Sequence, residues 1–358
     1  MDASRLAELR AQRTFPAISL IMPTHRRLPE NKQDPLRLKV LLDEAARQLR
    51  ELRDGLPRGM ADEVTQSLRK AAGEADLDHA AEALVLFAAP GGEQHSFVLP
   101  RVNVSERIVI DTTFVTRYLV AAMENTWSYW VLVMSEKPTR LWSGEGERLT
   151  EVVNALFPMT YELHDAGEQG STPAAGGDQE GFFRQVERAM TEIQQTDQRP
   201  IIVLGVPRYL SYLDELATAS VKEQVVGSIQ GSFERATGPE LSALVNPVLA
   251  EVQETARQAV IAELTAARSE RRFAGGLEEV WELAEQGRIA HLIVEDGYIA
   301  SANRTETHLL PAGSAEGRPV ADAVDDLIEQ VLATDGRVAF VSDGSLADYD
   351  RIAAVLRY

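Results

Sequence analysis

With 358 residues, 44% of them hydrophobic and 25% charged, the chain has an ordinary globular composition and enough length for two or three cores. It contains no cysteine, which excludes disulfides and thiolate metal sites, and its net charge of −19 argues against indiscriminate nucleic-acid binding. The charge is uneven. Residues 1–50 carry ten Lys/Arg against six Asp/Glu, a local +4, while residues 277–358 carry six against sixteen, a local −10. Such asymmetry marks either a surface that faces nucleic acid or a solvated, slightly basic helix.

The opening stretch "MDASRLAELRAQR" reads as a charged amphipathic helix or turn without the apolar core of a signal peptide, and no run is long enough to span a bilayer. A soluble cytoplasmic protein with no membrane partner is expected. "AISLIMPT" predicts a buried strand ended by Pro23 and Thr24. After the polar loop "HRRLPENKQD", Pro35 opens a helix whose apolar face is expected at Leu36, Val40, Leu41, Ala45 and Leu49. A second helix near 60–75 and the strands "EALVLFAA", "HSFVLP" and "ERIVIDTTF" complete one α/β body ending near residue 120.

A second body opens with "YWVLVM" and "TRLWSG", an antiparallel hairpin across the turn "SEKP", followed by a turn at "SGEGE" and a further strand at "TYELH". Residues 164–178 contain four glycines and no large apolar side chain; a loop of that length inside a compact chain is functional or disordered. A helix from about Gln179 to Gln195, the central strand "IIVLGV", a helix from Pro207 to Leu216, a strand in "EQVVGSIQGSF" and a long helix from Pro239 to about Ala267 follow. "RSERRFAGG" reads as a junction. The last body alternates helix "LEEVWELAEQG", strand "IAHLIVED", a turn with a short strand in "GYIASAN", helix "AVDDLIEQVLATDG", strand "RVAFVSD" and helix "LADYDRIAAVLRY", which predicts an α/β/α sandwich.

This order of elements resembles the archaeo-eukaryotic class 1 release factors and Pelota. The stretches "SLIMPTHRRLPENKQDPLRLKVLLDEA" and "GRVAFVSDGSLADYDRIAAVLRY" resemble the bacterial archaeo-eukaryotic release factor family, which includes ribosome-hibernation factors. The resemblance implies three consecutive α/β domains. Residues 1–122 would be directed to the decoding region, and residues 123–270 would form an RNase H-like middle domain that carries the Gly-rich loop 164–178. Residues 271–358 would form a small α/β/α partner-binding domain. It also implies a ribosomal partner through rRNA at the A site, and elongation factor Tu or another translational GTPase; no cofactor is expected.

The release factors carry Gly-Gly-Gln before the middle-domain helix, with the glutamine helping to place a water at the peptidyl-tRNA ester. Here Gly176 and Gly177 are followed by Asp178, and Gln179 comes one residue late. The added charge and the shift in register predict loss of hydrolysis, because chemistry that depends on positioning loses orders of magnitude for about 1 Å of error. The functional loop is therefore read as Gly176, Gly177, Asp178 and Gln179, with no catalytic residue and Gln179 the one weak candidate.

Thr24, His25, Arg26, Arg27 and Lys32 supply a hydroxyl, an imidazole and cations suited to phosphate or base edges, and with the resemblance they are read as rRNA-binding; alone they would read as a capped, salt-bridged turn. The six histidines include no pair at i, i+4 spacing and no zinc frame, and His291 in "IAHLIVED" reads as a core histidine. Glu295-Asp296 and Asp325-Asp326 read as a turn and a helix surface. The reading is a translation factor that binds the A site in stalling, hibernation or rescue without releasing peptide. The rivals are a peptidyl-tRNA hydrolase that uses Gln179 and a stress-related interaction protein that does not bind RNA. A small-molecule enzyme ranks last, since no cluster of nucleophile, base and orienting group is visible.

Overall fold

The structure is a computed structural model that describes residues 3–26, 29–52, 55–77, 81–125, 127–146, 148–161, 177–305, 309–312, 314 and 316–358. It is a mixed α/β protein whose Cα packing forms two compact units, residues 1–126 with 257–358, and residues 127–256.

In the larger unit, helix α1 (Ala3–Arg10) precedes strand β1 (Ala17–Pro23), followed by α2 (Asp34–Glu51), α3 (Met60–Glu74), β2 (Ala83–Ala89), β3 (Glu93–Leu99), β4 (Arg107–Asp111) and α4 (Arg117–Asn125). The strands form an antiparallel sheet in the order β3-β2-β1-β4. Side chains alternate across it as strand geometry requires. Ile18, Leu20 and Met22 pack with Leu49, Val64 and Leu68 of α2 and α3, whereas Ala17 and Ile21 join Leu6, Leu9, Phe114 and Leu119 on the opposite side.

The apolar face of α2 differs from the expectation. Leu38, Ala45, Ala46 and Leu49 are buried, while Leu36 and Val40 are 66% and 60% exposed. Asp34 is held in the core at the start of the helix, and this sets the rotation of the first turns.

The same unit contains β10 (Phe273–Gly275), α9 (Leu277–Glu285), β11 (Ile289–Glu295), α10 (Ala323–Ala333), β15 (Arg337–Val341) and β16 (Ile352–Leu356). The sheet order is β10-β16-β11-β15, with β11 and β15 parallel and the other pairs antiparallel. Val280, Trp281, Leu327 and Ile328 of α9 and α10 cover one face. Leu264 and Ala267, near the end of helix α8 (Gly238–Ser269), cover the other, which makes an α/β/α sandwich. A small sheet of β12 (Ala302–Arg304), β13 (Leu309–Pro311) and β14 (Arg318–Val320) stands beside it, so the strand expected in "GYIASAN" is confined to its end.

The last segment is not the expected helix. A short 3-10 turn, Ala347–Tyr349, is followed by Asp350 and Arg351 with positive φ, and then by β16, whose five residues are all buried. Burial on both faces between β10 and β11 leaves no polar face for a helical period to mark, and a short apolar run is compatible with either element.

The smaller unit carries β5 (Ser128–Val133), β6 (Arg140–Glu145), β7 (Arg148–Glu151), α5 (Gly177–Thr196), β8 (Ile201–Gly205), α6 (Pro207–Leu216), α7 (Ala219–Gln224) and β9 (Val225–Gln230), and also the first part of α8. Its sheet runs β7-β6-β5-β8-β9, an antiparallel meander joined to two parallel strands, the strand order of an RNase H-like domain. Gly146, with φ 58, turns β6 into β7, as expected of "SGEGE". Of the strand expected at "TYELH", Thr160 and Tyr161 are not in a strand and residues 162–164 lie outside the described residues; just before it Met159 makes a single bridge to Thr139.

Candidate functional site

At the exit of β1 the chain is fastened from several directions. The Thr24 amide donates to the Glu82 carbonyl at 2.9 Å and its hydroxyl to the Ala81 carbonyl at 3.0 Å, so this buried side chain anchors the corner. Asp34, only 1% exposed at the head of α2, accepts the His25 amide at 2.7 Å and stands 2.9 Å from His25 Nδ1. One buried carboxylate thus ties the end of a strand to the start of a helix.

The Arg26 guanidinium meets Glu82 twice, at 3.0 and 3.1 Å, and Glu82 also accepts the Arg101 amide at 2.8 Å. Lys32 is exposed on the 3-10 turn Glu30–Gln33. The structure therefore brings Thr24, His25 and Arg26 to one corner and leaves Lys32 on the turn that leads from it. Arg27 lies outside the described residues. The carboxylates Glu82 and Asp34, which hold this corner, come from residues that periodicity did not single out.

At the head of α5, Gly177 and Asp178 have helical backbone, and Gly176 and the preceding residues 162–175 lie outside the described residues. Gln179 sits in the first turn of the helix. Its Nε2 donates to Glu136 Oε1 at 2.6 Å, and the same oxygen accepts the Tyr209 hydroxyl at 3.0 Å. Burial and the adjacent Glu136 carboxylate push the Tyr209 phenol up to about 12, which keeps it a hydrogen-bond donor. Gln179 Oε1 is buried with no hydrogen-bond partner.

Beneath this group Phe183 packs against Tyr209 and Tyr212, with ring centroids at 4.9 and 5.5 Å, so α5 and α6 are braced at the place where Gln179 is pinned. Glu136 comes from the β5–β6 turn. Only the "SEKP" turn signal hinted at its location, and nothing in the local sequence indicated its partners.

The carboxylates of the last body behave differently from the surface reading. Asp325 is 2% exposed and Asp322 4% exposed. Asp325 accepts the Arg117 amide at 2.7 Å, and Asp322 pairs with Arg107 at 2.6 Å. Glu295 is also buried and accepts the Gly344 and Leu346 amides and Arg351 Nε at 2.7–2.8 Å, so it shapes the turn between β15 and the 3-10 helix. His291 is buried with Nδ1 2.9 Å from Glu263, and burial pushes its pKa down. Among the described residues no group of three His, Cys, Asp or Glu is placed to hold a metal ion, and no helix is long and apolar enough to cross a membrane.

Residues 128–288 match the model of bacterial archaeo-eukaryotic release factor family 3. No curated protein matches the chain. Among solved structures, Pelota from Archaeoglobus fulgidus is 18% identical, with 77% of this chain and 79% of that one covered and a TM-score of 0.36. Dom34 from S. cerevisiae, a translation termination-like factor interacting with Hbs1, is 15% identical over 80% and 81% of the two chains, with a TM-score of 0.43. Archaeal Pelota in a model of ribosome-bound Pelota and ABCE1 is 16% identical over 77% of each chain, with a TM-score of 0.44. The middle body, residues 128–288, is thus similar to bacterial archaeo-eukaryotic release factor family 3.

Proposed function

We propose that this is a cytoplasmic, ribosome-associated translation factor that occupies the A site in stalling, hibernation or rescue and does not release peptide. In this reading residues 1–122 face the decoding region through His25, Arg26, Arg27 and Lys32, with Thr24 as their anchor. Residues 123–270 reach toward the peptidyl-tRNA. Residues 271–358, whose stretch 277–358 carries a local −10, receive a protein partner such as elongation factor Tu or another translational GTPase.

One observation carries the non-releasing part. Gln179 is built into the first turn of α5 with its amide bound to Glu136 at 2.6 Å, one residue beyond Asp178. A glutamine that orients a water at an ester has to present its amide to that water, and here the donor end is engaged by a carboxylate and the acceptor end is buried. Charge-assisted hydrogen bonds of this kind are among the stronger ones in proteins.

The test has two parts. Co-sedimentation with 70S ribosomes should recover the protein with the ribosomal fraction, in a salt-dependent manner. A programmed ribosome carrying peptidyl-tRNA should release no peptide on its addition. Release at rates comparable to a termination factor would establish the hydrolase reading instead. Absence from the ribosomal fraction at low salt would favour a protein-interaction role without RNA.

A further inference from the structure

A cleft of about 630 Å³ in the larger unit is lined by α1, the corner after β4, β12 and α10. Its volume lies in the range of small-molecule sites, roughly 300–1,000 Å³. Two guanidiniums line it, and neither is fully used. Arg10 Nη1 is buried and has no hydrogen-bond partner. Arg304, 46% exposed, has Glu285 and Asp326 no nearer than 4.0 and 3.9 Å, beyond hydrogen-bonding distance, and its guanidinium carbon lies 5.3 Å from the Trp281 ring centre. A buried donor left without an acceptor is costly, and native structures rarely leave one so without a role.

Asp111, Asp326 and Glu329 also line the cleft and would oppose an anion. Glu329, however, is pushed up to about 8 by burial and by the charge of Asp326, against the opposing pull of the Thr116 hydroxyl, which its Oε1 accepts at 3.1 Å, and of the nearby Arg10 and Arg13 guanidiniums. At neutral pH it holds a proton, adds no charge, and offers a donor of its own. Gln12, Thr113 and Gln330 add neutral hydrogen-bonding groups.

We propose that this cleft binds a small phosphate compound, its oxyanion held by Arg10 and Arg304. Guanidiniums match the geometry of phosphate oxygens and can engage more than one at a time. The cleft is larger than a bare phosphate requires, so a phosphate ester is the better fit. The site does not depend on the ribosomal reading, and its test uses the isolated protein.

Titration calorimetry and thermal unfolding with inorganic phosphate and adenosine monophosphate as probes should show saturable binding and a raised melting temperature at about neutral pH. Arg10→Met and Arg304→Gln should each weaken binding about tenfold or more. Each variant is first checked for fold by circular dichroism, and if one fails to fold the other decides. Tighter binding of the nucleotide identifies an ester as the ligand, and equal binding identifies free phosphate.

Raising the pH from about 7 to about 9.5 leaves a phosphate monoester a dianion, because its second pKa is about 6. Nucleotide binding by the wild-type protein should weaken severalfold over that interval, while Glu329→Gln, which keeps a neutral donor, should not change. Absence of saturable binding by both probes at millimolar concentration, or unchanged affinity in the folded arginine variants, would overturn the proposal.

Discussion

The backbone amide of Arg117, at the start of α4, donates a 2.7 Å hydrogen bond to Oδ1 of Asp325, a carboxylate on α10 that is 2% exposed. Around this bond Thr116 donates to Glu329 and Arg107 meets Asp322, so residues near the β4–α4 connection are joined to α10 by side chains from both. These elements are about two hundred residues apart in sequence but belong to one compact unit. Burial, together with the nearby Glu329 and Asp322, pushes Asp325 well above the usual carboxylate range.

A stability profile follows from Glu329, whose folded value of about 8 lies above its ordinary 4.5. Below 4.5 both folded and unfolded chains hold the proton, and this group does not affect stability. From there to about 8 the unfolded chain releases a proton that the folded one keeps, so stability falls as pH rises, and the loss is complete above 8. If the whole shift is expressed, it amounts to roughly 3–5 kcal/mol. Urea unfolding of the larger unit at several pH values should show this decline, and Glu329→Gln should flatten it. An identical slope in the variant would assign the decline to other groups.

Replacing Arg107 should be more damaging than a surface arginine would be. Its partner Asp322 has 2% of its side chain exposed, and the ion pair is 2.6 Å long. Arg107→Met leaves a buried carboxylate that, among the described residues, keeps Arg117, at 3.6 Å, as its cationic neighbour. Breaking a buried pair from one side costs about 3–5 kcal/mol. Arg107→Met combined with Asp322→Asn should recover part of that loss, which a double-mutant cycle measures.

Two glycines of the smaller unit should respond differently to alanine. A Cβ on Gly144 would lie 2.3 Å from the ring of Tyr129, its cross-strand partner, which is fully buried with its hydroxyl bonded to the Gly146 carbonyl. The ring cannot move without losing that bond, so Gly144→Ala should cost about 1–3 kcal/mol or more. Gly146 has open space but φ 58, and Gly146→Ala should cost about 1 kcal/mol, the backbone strain alone. Thermal unfolding of the two variants ranks them, and the reverse order would show that the β5–β6 pair yields more easily than its packing implies.

The corner after β1 has its own test. Changing Arg26 and Lys32 to alanine should weaken ribosome binding and flatten its salt dependence by roughly 0.7–0.9 in log–log slope per lost contact. Arg26 is salt-bridged to Glu82 at about one-third exposure, so the stability change should be within about 1 kcal/mol. A folded double variant that binds as tightly as the parent, with the same slope, would remove this corner from the interface.

Deleting Asp178 would restore Gly-Gly-Gln in sequence and rotate the start of α5 against Glu136. Any peptide release gained by the deletion variant, measured on programmed ribosomes, would mark the loop as a disabled catalytic element. Absence of release in a folded variant would mean that register alone does not account for the loss.

Most of the elements were legible in the sequence because their signals are local. The alternation in "AISLIMPT", the "SEKP" turn, Pro35 and Pro207 at helix starts, and the glycine of "SGEGE" each act within a few residues of where they stand. The rotation of α2 was not legible, because Leu36, Leu38, Val40 and Leu41 are nearly equivalent in apolar character. The buried Asp34, bonded to His25, decides which of them face inward. Nor was β16, since Ile352–Leu356 is apolar throughout and only pairing with β10 and β11 makes it a strand.

For the candidate sites the residue types could be read from the sequence, but their commitments could not. Thr24, Arg26 and Gln179 were visible as polar groups next to structured elements; that each is bound to a carbonyl or carboxylate 43 to 57 positions away in the chain is a result of tertiary structure. The same holds for Asp325 and Glu329, which lie on a helix with an ordinary acidic pattern. Their raised proton affinity comes from burial and from neighbouring carboxylates, against the hydrogen bonds donated by Thr116 and Arg117, and no local pattern records burial by the rest of the fold.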